Sequence, residues 1–238
     1  MKRILMRIAV ALTALAALGT SANADTVTFF TPVGAMNMGQ QVDASATITT
    51  GAGTVTIDLS NLLTATQVRS IGQNLSALSF TLDGTTSSGS VASSAGKFID
   101  VGSGGAVTSA GSTSSSASNL IGWLLANSGG NYELNGLGAL ASPAQTIIGG
   151  TAGSLTAYSS ANASIDGNGP HNPFVQGTGY FVLDIAGVTA ATDISNVAFS
   201  FGTTPGSTVS AAEPSSLVLL GIGLLGLVGL AGRKLITA

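Results

Sequence analysis

In several short stretches between Thr26 and Phe201 apolar residues recur at every second position, interleaved with threonine, serine and glycine. Period two puts successive side chains on opposite faces of an extended chain, so the pattern predicts β-strands rather than helices. Thr26–Phe30 is the first expected strand. Residues 44–50 and 54–60 flank Gly51-Ala52-Gly53, a glycine-bearing hairpin signal. In the second arm Val55, Ile57 and Leu59 share one face, against Thr54, Thr56 and Asp58. Leu75–Leu82 runs into the turn signal Asp83-Gly84, and residues 98–101 make a shorter candidate.

The middle of the chain is less regular. Residues 102–118 are a low-complexity Gly/Ser/Thr/Ala stretch, either an exposed loop or a weak strand pair. Residues 119–126 carry Leu120, Ile121, Trp123, Leu124 and Leu125 behind Ser118, which can cap; a short helix with Trp123 buried is expected. Residues 127–140 read as a glycine-rich loop, and 146–148 and 155–165 as two further strands. The last third is the clearest. Over residues 179–188 Phe181, Leu183 and Ile185 oppose Val182, Asp184 and Ala186, and Ile194–Phe201 alternates Val197, Phe199 and Phe201. Short strands separated by turns predict an all-β domain, an antiparallel β-sandwich of jelly-roll type with one short helix.

The two ends have a different composition. Lys2, Arg3 and Arg7 precede an apolar run over residues 8–18, and Ala22-Asn23-Ala24 gives a small-x-small cleavage pattern. This reads as a signal peptide over residues 1–24, with a mature chain beginning at Asp25. At the other end residues 217–231 are uncharged, and Arg233 and Lys234 follow directly. As a helix, residues 215–232 would reach roughly 27 Å at ~1.5 Å per residue. That nearly matches a hydrocarbon core of about 30 Å. A basic stop keeps its end cytoplasmic, so the body would lie outside.

Ala212-Glu213-Pro214-Ser215, the apolar span and the basic end together resemble a PEP-CTERM sorting signal. In that class a Pro-Glu-Pro motif, a transmembrane helix and a basic tail mark substrates of exosortase, a membrane-embedded protease of Gram-negative bacteria that make exopolysaccharide. Glu213 and Pro214 match the motif, and Ala212 stands where the first proline usually does. The resemblance implies signal peptidase and exosortase as processing enzymes. It also implies tethering to the inner membrane in transit, then residence at the cell surface or outside, with exopolysaccharide as a partner. It covers the end of the chain and implies a route, not an activity. The expected organisation is a signal peptide (1–24), a β domain (25–202), a spacer (203–211) and a sorting segment (212–238).

Charge narrows the function. The whole chain carries −3, but five of its seven basic residues lie in the end segments. Between Asp25 and Asp193 only Arg69 and Lys97 stand against nine acidic residues, a balance of −7. Phosphate neutralisation needs a basic surface, so nucleic acid is excluded as a partner. There is no cysteine, which removes disulfides, thiolate catalysis and Cys-based metal sites.

Catalytic material is thin, and no enzyme is expected. His171 is the only histidine, so any Ser-His-Asp triad must use it; a loop histidine with a local hydrogen bond is the plainer reading. A glycosidase needs only two carboxylates, from Asp58, Asp83, Asp100, Glu133, Asp166, Asp184 and Asp193. Aromatic platforms for a sugar are limited to Trp123, Tyr132, Tyr158 and Tyr180. Asp166-Gly167-Asn168-Gly169 offers oxygen ligands for Ca2+ but lacks the acidic spacing of an EF-hand; turn formation is the simpler account, and no cofactor is expected. The expectation is an exported surface or matrix protein with a structural or carbohydrate-binding role. Its rivals are a carbohydrate-active hydrolase and a permanently anchored membrane protein.

Overall fold

The computed structural model describes residues 25–115, 122–137, 144–204 and 206–212. The strands are β1 (Thr26–Phe30), β2 (Met36–Asn37), β3 (Gln40–Gln41), β4 (Ala44–Thr50), β5 (Thr54–Asn61), β6 (Leu75–Leu82) and β7 (Gly89–Val101). After them come β8 (Val107–Ser115), β9 (Leu124–Ser128), β10 (Asn131–Asn135), β11 (Ile147–Ile148), β12 (Phe174–Ile185), β13 (Ile194–Phe201) and β14 (Thr208–Ser210). Apart from three-residue 3-10 turns, the described chain has no helix. The fold is all-β, as the alternation predicts.

Two antiparallel ladders carry almost all the pairing. The first runs β1-β4-β5-β12-β7-β8, and the second β9-β10-β6-β13-β14. Short β11 joins them, parallel to β12 at Val175 and antiparallel to β6 at Leu75. Residues 51–53 close the β4–β5 hairpin, with Gly53 at φ 74°, a conformation that glycine adopts without a Cβ penalty.

One hydrophobic cluster draws on the inward faces of both ladders. Ile48, Ile57, Phe181 and Leu183 come from the first, and Leu78, Phe80, Tyr132 and Phe199 from the second. Each such side chain contributes about 1.5–3 kcal/mol through burial. Trp123 lies against Phe181 with ring centroids 5.2 Å apart, and Phe80 stacks on its cross-strand neighbour Tyr132 at 5.7 Å. A second, smaller cluster sits under the loops at one end of the sheet and includes Leu63, Val68, Ile148, Tyr158, Ile165 and Phe174.

Several expectations are corrected. Leu124, Leu125 and Ala126 belong to strand β9, not to a helix, while residues 119–121 lie outside the described set. Gly129 and Gly130, both at positive φ, close a two-residue hairpin that pairs β9 with β10. That turn decides the local structure, because both central positions need positive φ. Trp123 is buried as expected. Residues 131–135, read as loop, bury Tyr132 and Leu134 on alternate positions of β10. Residues 155–165 form irregular loop and turns instead of a strand. Within them Asn162 Oδ1 accepts from Ser164 N–H and O–H, a local bond that competes with a sheet ladder. The low-complexity stretch supplies β8, which lies along the much longer β7.

The expected spacer is partly strand. β14 pairs with β13, the Ala211 N–H donates to the Val197 carbonyl at 2.8 Å, and the Ala212 N–H donates to the Phe30 carbonyl at 2.8 Å. The signal peptide with Ala22 and Ala24, and the sorting segment with Glu213, Pro214, Ser215, Arg233 and Lys234, lie outside the described residues. Asp25 is described, and its carbonyl accepts from Thr50 N–H. Among the described residues no helix is long and apolar enough to cross a membrane; residues 215–232 are not among them.

Candidate functional site

The residues singled out for catalysis do not converge. His171 sits in a 3-10 turn, its Nδ1 2.6 Å from the Ser164 carbonyl oxygen. A carbonyl only accepts, so Nδ1 carries the proton in this contact. Asp58 and Asp184 are exposed on the outer faces of β5 and β12, with Asp58 paired to Tyr180 and Asp184 to Thr54. Asp83 and Asp193 meet only through a backbone bond at the far end of the second ladder. Glu133, on the exposed face of β10, accepts from Asn135 Nδ2, and Asp100 lies on β7 opposite Thr108.

The Asp166 loop is held by a bond within it and by one to Gly105. Asp166 Oδ1 accepts from Gly105 N–H at 3.2 Å, and Asp166 N–H donates to the Asn162 carbonyl at 2.8 Å. Among the described residues, no three histidines or carboxylates are grouped to hold a metal ion.

The aromatic candidates divide sharply. Trp123, Tyr132 and Tyr158 are each about 1% exposed, whereas Tyr180 is 49% exposed. Trp123 Nε1–H donates to Gln145 O, Tyr132 O–H to Ser87 O and Tyr158 O–H to Gly149 O. A buried phenol needs such a partner. Burial pushes the Tyr158 hydroxyl up to about 12. Only Tyr180 presents its ring to solvent, on the outer face of β12.

Two residues from Tyr180 along β12, the sheet opens into a cleft of about 550 Å3. This lies within the range of small-ligand sites, about 300–1,000 Å3. One wall is the end of β5 and the loop after it, with Ser60, Asn61, Thr64 and Thr66. The other is the loop after β11, with Thr151, Ser154 and Thr156, and Gln176 and Thr178 of β12 lie between them. Every lining side chain is uncharged, and hydroxyls and amides predominate.

Each wall is fixed by buried polar groups. Asn61 Nδ2 donates to Gln73 O at 2.9 Å and to Ile147 O at 3.1 Å, pinning the place where β11 succeeds β5 beside β12. Gln176, 1% exposed, accepts from Gly153 N–H at 2.8 Å and donates to Ser154 O at 2.9 Å. Gly177, at φ 74°, breaks the register of β12 between Val175 and Gly179. A Cβ there would stand 2.7 Å from Gly150 O, so only glycine lets the 150–152 loop close in. At the lip the Ser60 and Thr178 hydroxyls meet at 2.7 Å.

The cleft was not foreseen from the sequence. Its parts come from three separate segments, and the nearest local signal was the Gln176-Gly177 interruption of an otherwise regular strand pattern. A neighbouring recess of about 220 Å3 shares Leu63 and Thr66 with the cleft and is lined by Gln40, Gln67 and Arg69 as well. Comparison of the chain with protein-family models, with curated proteins and with solved structures finds no match.

Proposed function

We propose that this chain is an exported, non-catalytic domain that binds carbohydrate at the cell surface or in the extracellular matrix. Its two ladders are read as the layers of an antiparallel, jelly-roll-like sandwich. The single observation that carries the binding role is the prebuilt cleft lined only by uncharged side chains, most of them hydroxyls and amides. Such groups donate and accept hydrogen bonds without a charged ligand to neutralise, which suits the many hydroxyls of a sugar. Tyr180, beside the lip, offers an exposed ring for stacking.

The route rests on the sequence: Ala22 and Ala24 for signal peptidase, Ala212 to Ser215 for exosortase, and Arg233 and Lys234 as the basic stop. Intact mass of the protein from membrane and extracellular fractions of its host tests it. A species running from Asp25 to near Glu213-Pro214 is expected outside the cell. A membrane species that keeps Arg233 and Lys234 would overturn sorting by exosortase in favour of a permanent anchor. Affinity electrophoresis in gels containing polysaccharide tests the binding role, and retardation without chain shortening is expected. Turnover abolished by one Asp→Asn change would instead identify a hydrolase.

A further inference from the structure

The body of the chain has two basic residues against nine acidic ones; Arg69 lines the recess that adjoins the cleft, and Lys97 touches Gly153 in the loop that forms the cleft's other wall. Arg69 lines the recess on the far side of the Leu63–Thr66 wall. Lys97, on β7, runs its stem along the opposite loop, where Cε comes within 3.4 Å of the Cβ position at Gly153. Both side chains are exposed. No carboxylate lines either the cleft or the recess. The acidic residues placed nearest by the pairing are Asp43, whose carbonyl accepts from Leu62 N–H and whose side chain accepts from Thr31, and Asp58, beyond the Ser60 lip.

From this placement we infer that the ligand is a carboxylated glycan, with uronate-like units whose carboxylates reach Arg69 and Lys97 while their hydroxyls fill the cleft. The inference rests on the carbohydrate-binding reading above. A domain with this charge balance repels a polyanion over most of its surface, so the one edge carrying cations also fixes where such a chain can approach. A guanidinium matches a carboxylate through two parallel N–H donors, which gives Arg69 orientation as well as charge. Lys97 supplies a point charge on the other side. The neutral cleft leaves the ring hydroxyls to Ser60, Thr151 and Thr178.

The test uses the protein recovered from its host and two matched pairs of chains: polygalacturonate against its methyl ester, and alginate against its carboxyl-reduced form. Affinity electrophoresis and calorimetry are run at low and high NaCl. The acidic member of a pair is expected to bind about tenfold tighter, and the preference to shrink with salt, because exposed charges are screened beyond ~8 Å at physiological ionic strength. Arg69→Gln is expected to bring acidic binding down to the level of the neutral form, and Lys97→Gln to do so in part. Both variants alter exposed side chains, and unchanged thermal unfolding confirms intact folding. Equal binding of acidic and neutral members, or a preference that survives both substitutions, would overturn the inference and leave carbohydrate binding standing. Failure of every chain, neutral ones included, would overturn both.

Discussion

The two hydrophobic clusters are built by different rules. The larger draws side chains from both ladders and needs only alternation: Ile48, Ile57, Phe181 and Phe199 are buried because strand geometry turns every second residue to the same face. The smaller supports the cleft and follows no period. Its order depends on single polar side chains, among them Asn61, Gln176 and the Tyr158 hydroxyl, each reaching across to a backbone group. The first tolerates conservative exchange of apolar residues, while the second depends on individual atoms. Stability and binding should therefore respond to different mutations.

The largest effect is expected at the main core. Phe181→Ala should cost about 3–5 kcal/mol, through lost burial and the cavity left beside Trp123. Urea denaturation measures it, and a loss below about 1 kcal/mol would contradict a shared core.

Next comes a matched pair of glycines. Gly177 and Gly53 both have φ 74°, but a Cβ on Gly177 meets Gly150 O, whereas one on Gly53 meets nothing within 4 Å. Gly53→Ala should cost about 1 kcal/mol in backbone strain. Gly177→Ala should cost more and also abolish glycan retardation. Equal costs would mean that the 150–152 loop is not seated as described.

Tyr158→Phe separates the clusters by pH. The folded hydroxyl titrates near 12, above the ordinary phenol value of 10.0. Below pH 10 both states hold the proton, so this group adds no pH dependence. Between pH 10 and 12 the unfolded chain ionises first, and stability falls as pH rises, by about 3 kcal/mol in all. Wild type should show that extra alkaline loss relative to Tyr158→Phe in denaturation series. At neutral pH the variant should lose about 1–3 kcal/mol, because the Gly149 carbonyl loses its partner. Parallel pH curves would contradict the buried phenol.

The smallest stability effect is expected at Tyr180. Its ring is half exposed, so Tyr180→Ala should change stability by no more than about 0.5 kcal/mol. Glycan affinity should nevertheless fall, and Tyr180→Phe should restore it. Unchanged affinity in the alanine variant would remove the ring from the site.

What could be read from the sequence divides along the same line. β1, β4, β6 and β13 fall where alternation places them, because one buried face specifies register. The apolar run at 119–126 misled, since Leu124 and Leu125 can serve either period and the deciding signal, Gly129-Gly130, lies beyond it. Residues 155–165 misled because Tyr158 and Ile165 are buried individually from turns. The cleft was invisible: Asn61, Ser154 and Gln176 come from three separate segments, and nothing local marks a side chain that will bond across the molecule. Tyr180 was named together with Trp123, Tyr132 and Tyr158, and only the folded arrangement separates the one wet ring from the three dry ones.

The bond from Ala212 N–H to the Phe30 carbonyl fixes where the chain leaves the domain. Phe30 lies in one cross-strand row with Ser45, Ser60 and Thr178, so the exit stands about 15 Å from the cleft lip, at roughly 4.8 Å per strand. Only residues 213–216 separate Ala212 from Leu217, and five extended steps of about 3.6 Å span roughly 18 Å. If residues 217–231 anchor the chain as proposed, that reach is the upper limit on how far Ala212 can stand from the membrane, and the tether rather than the fold sets it.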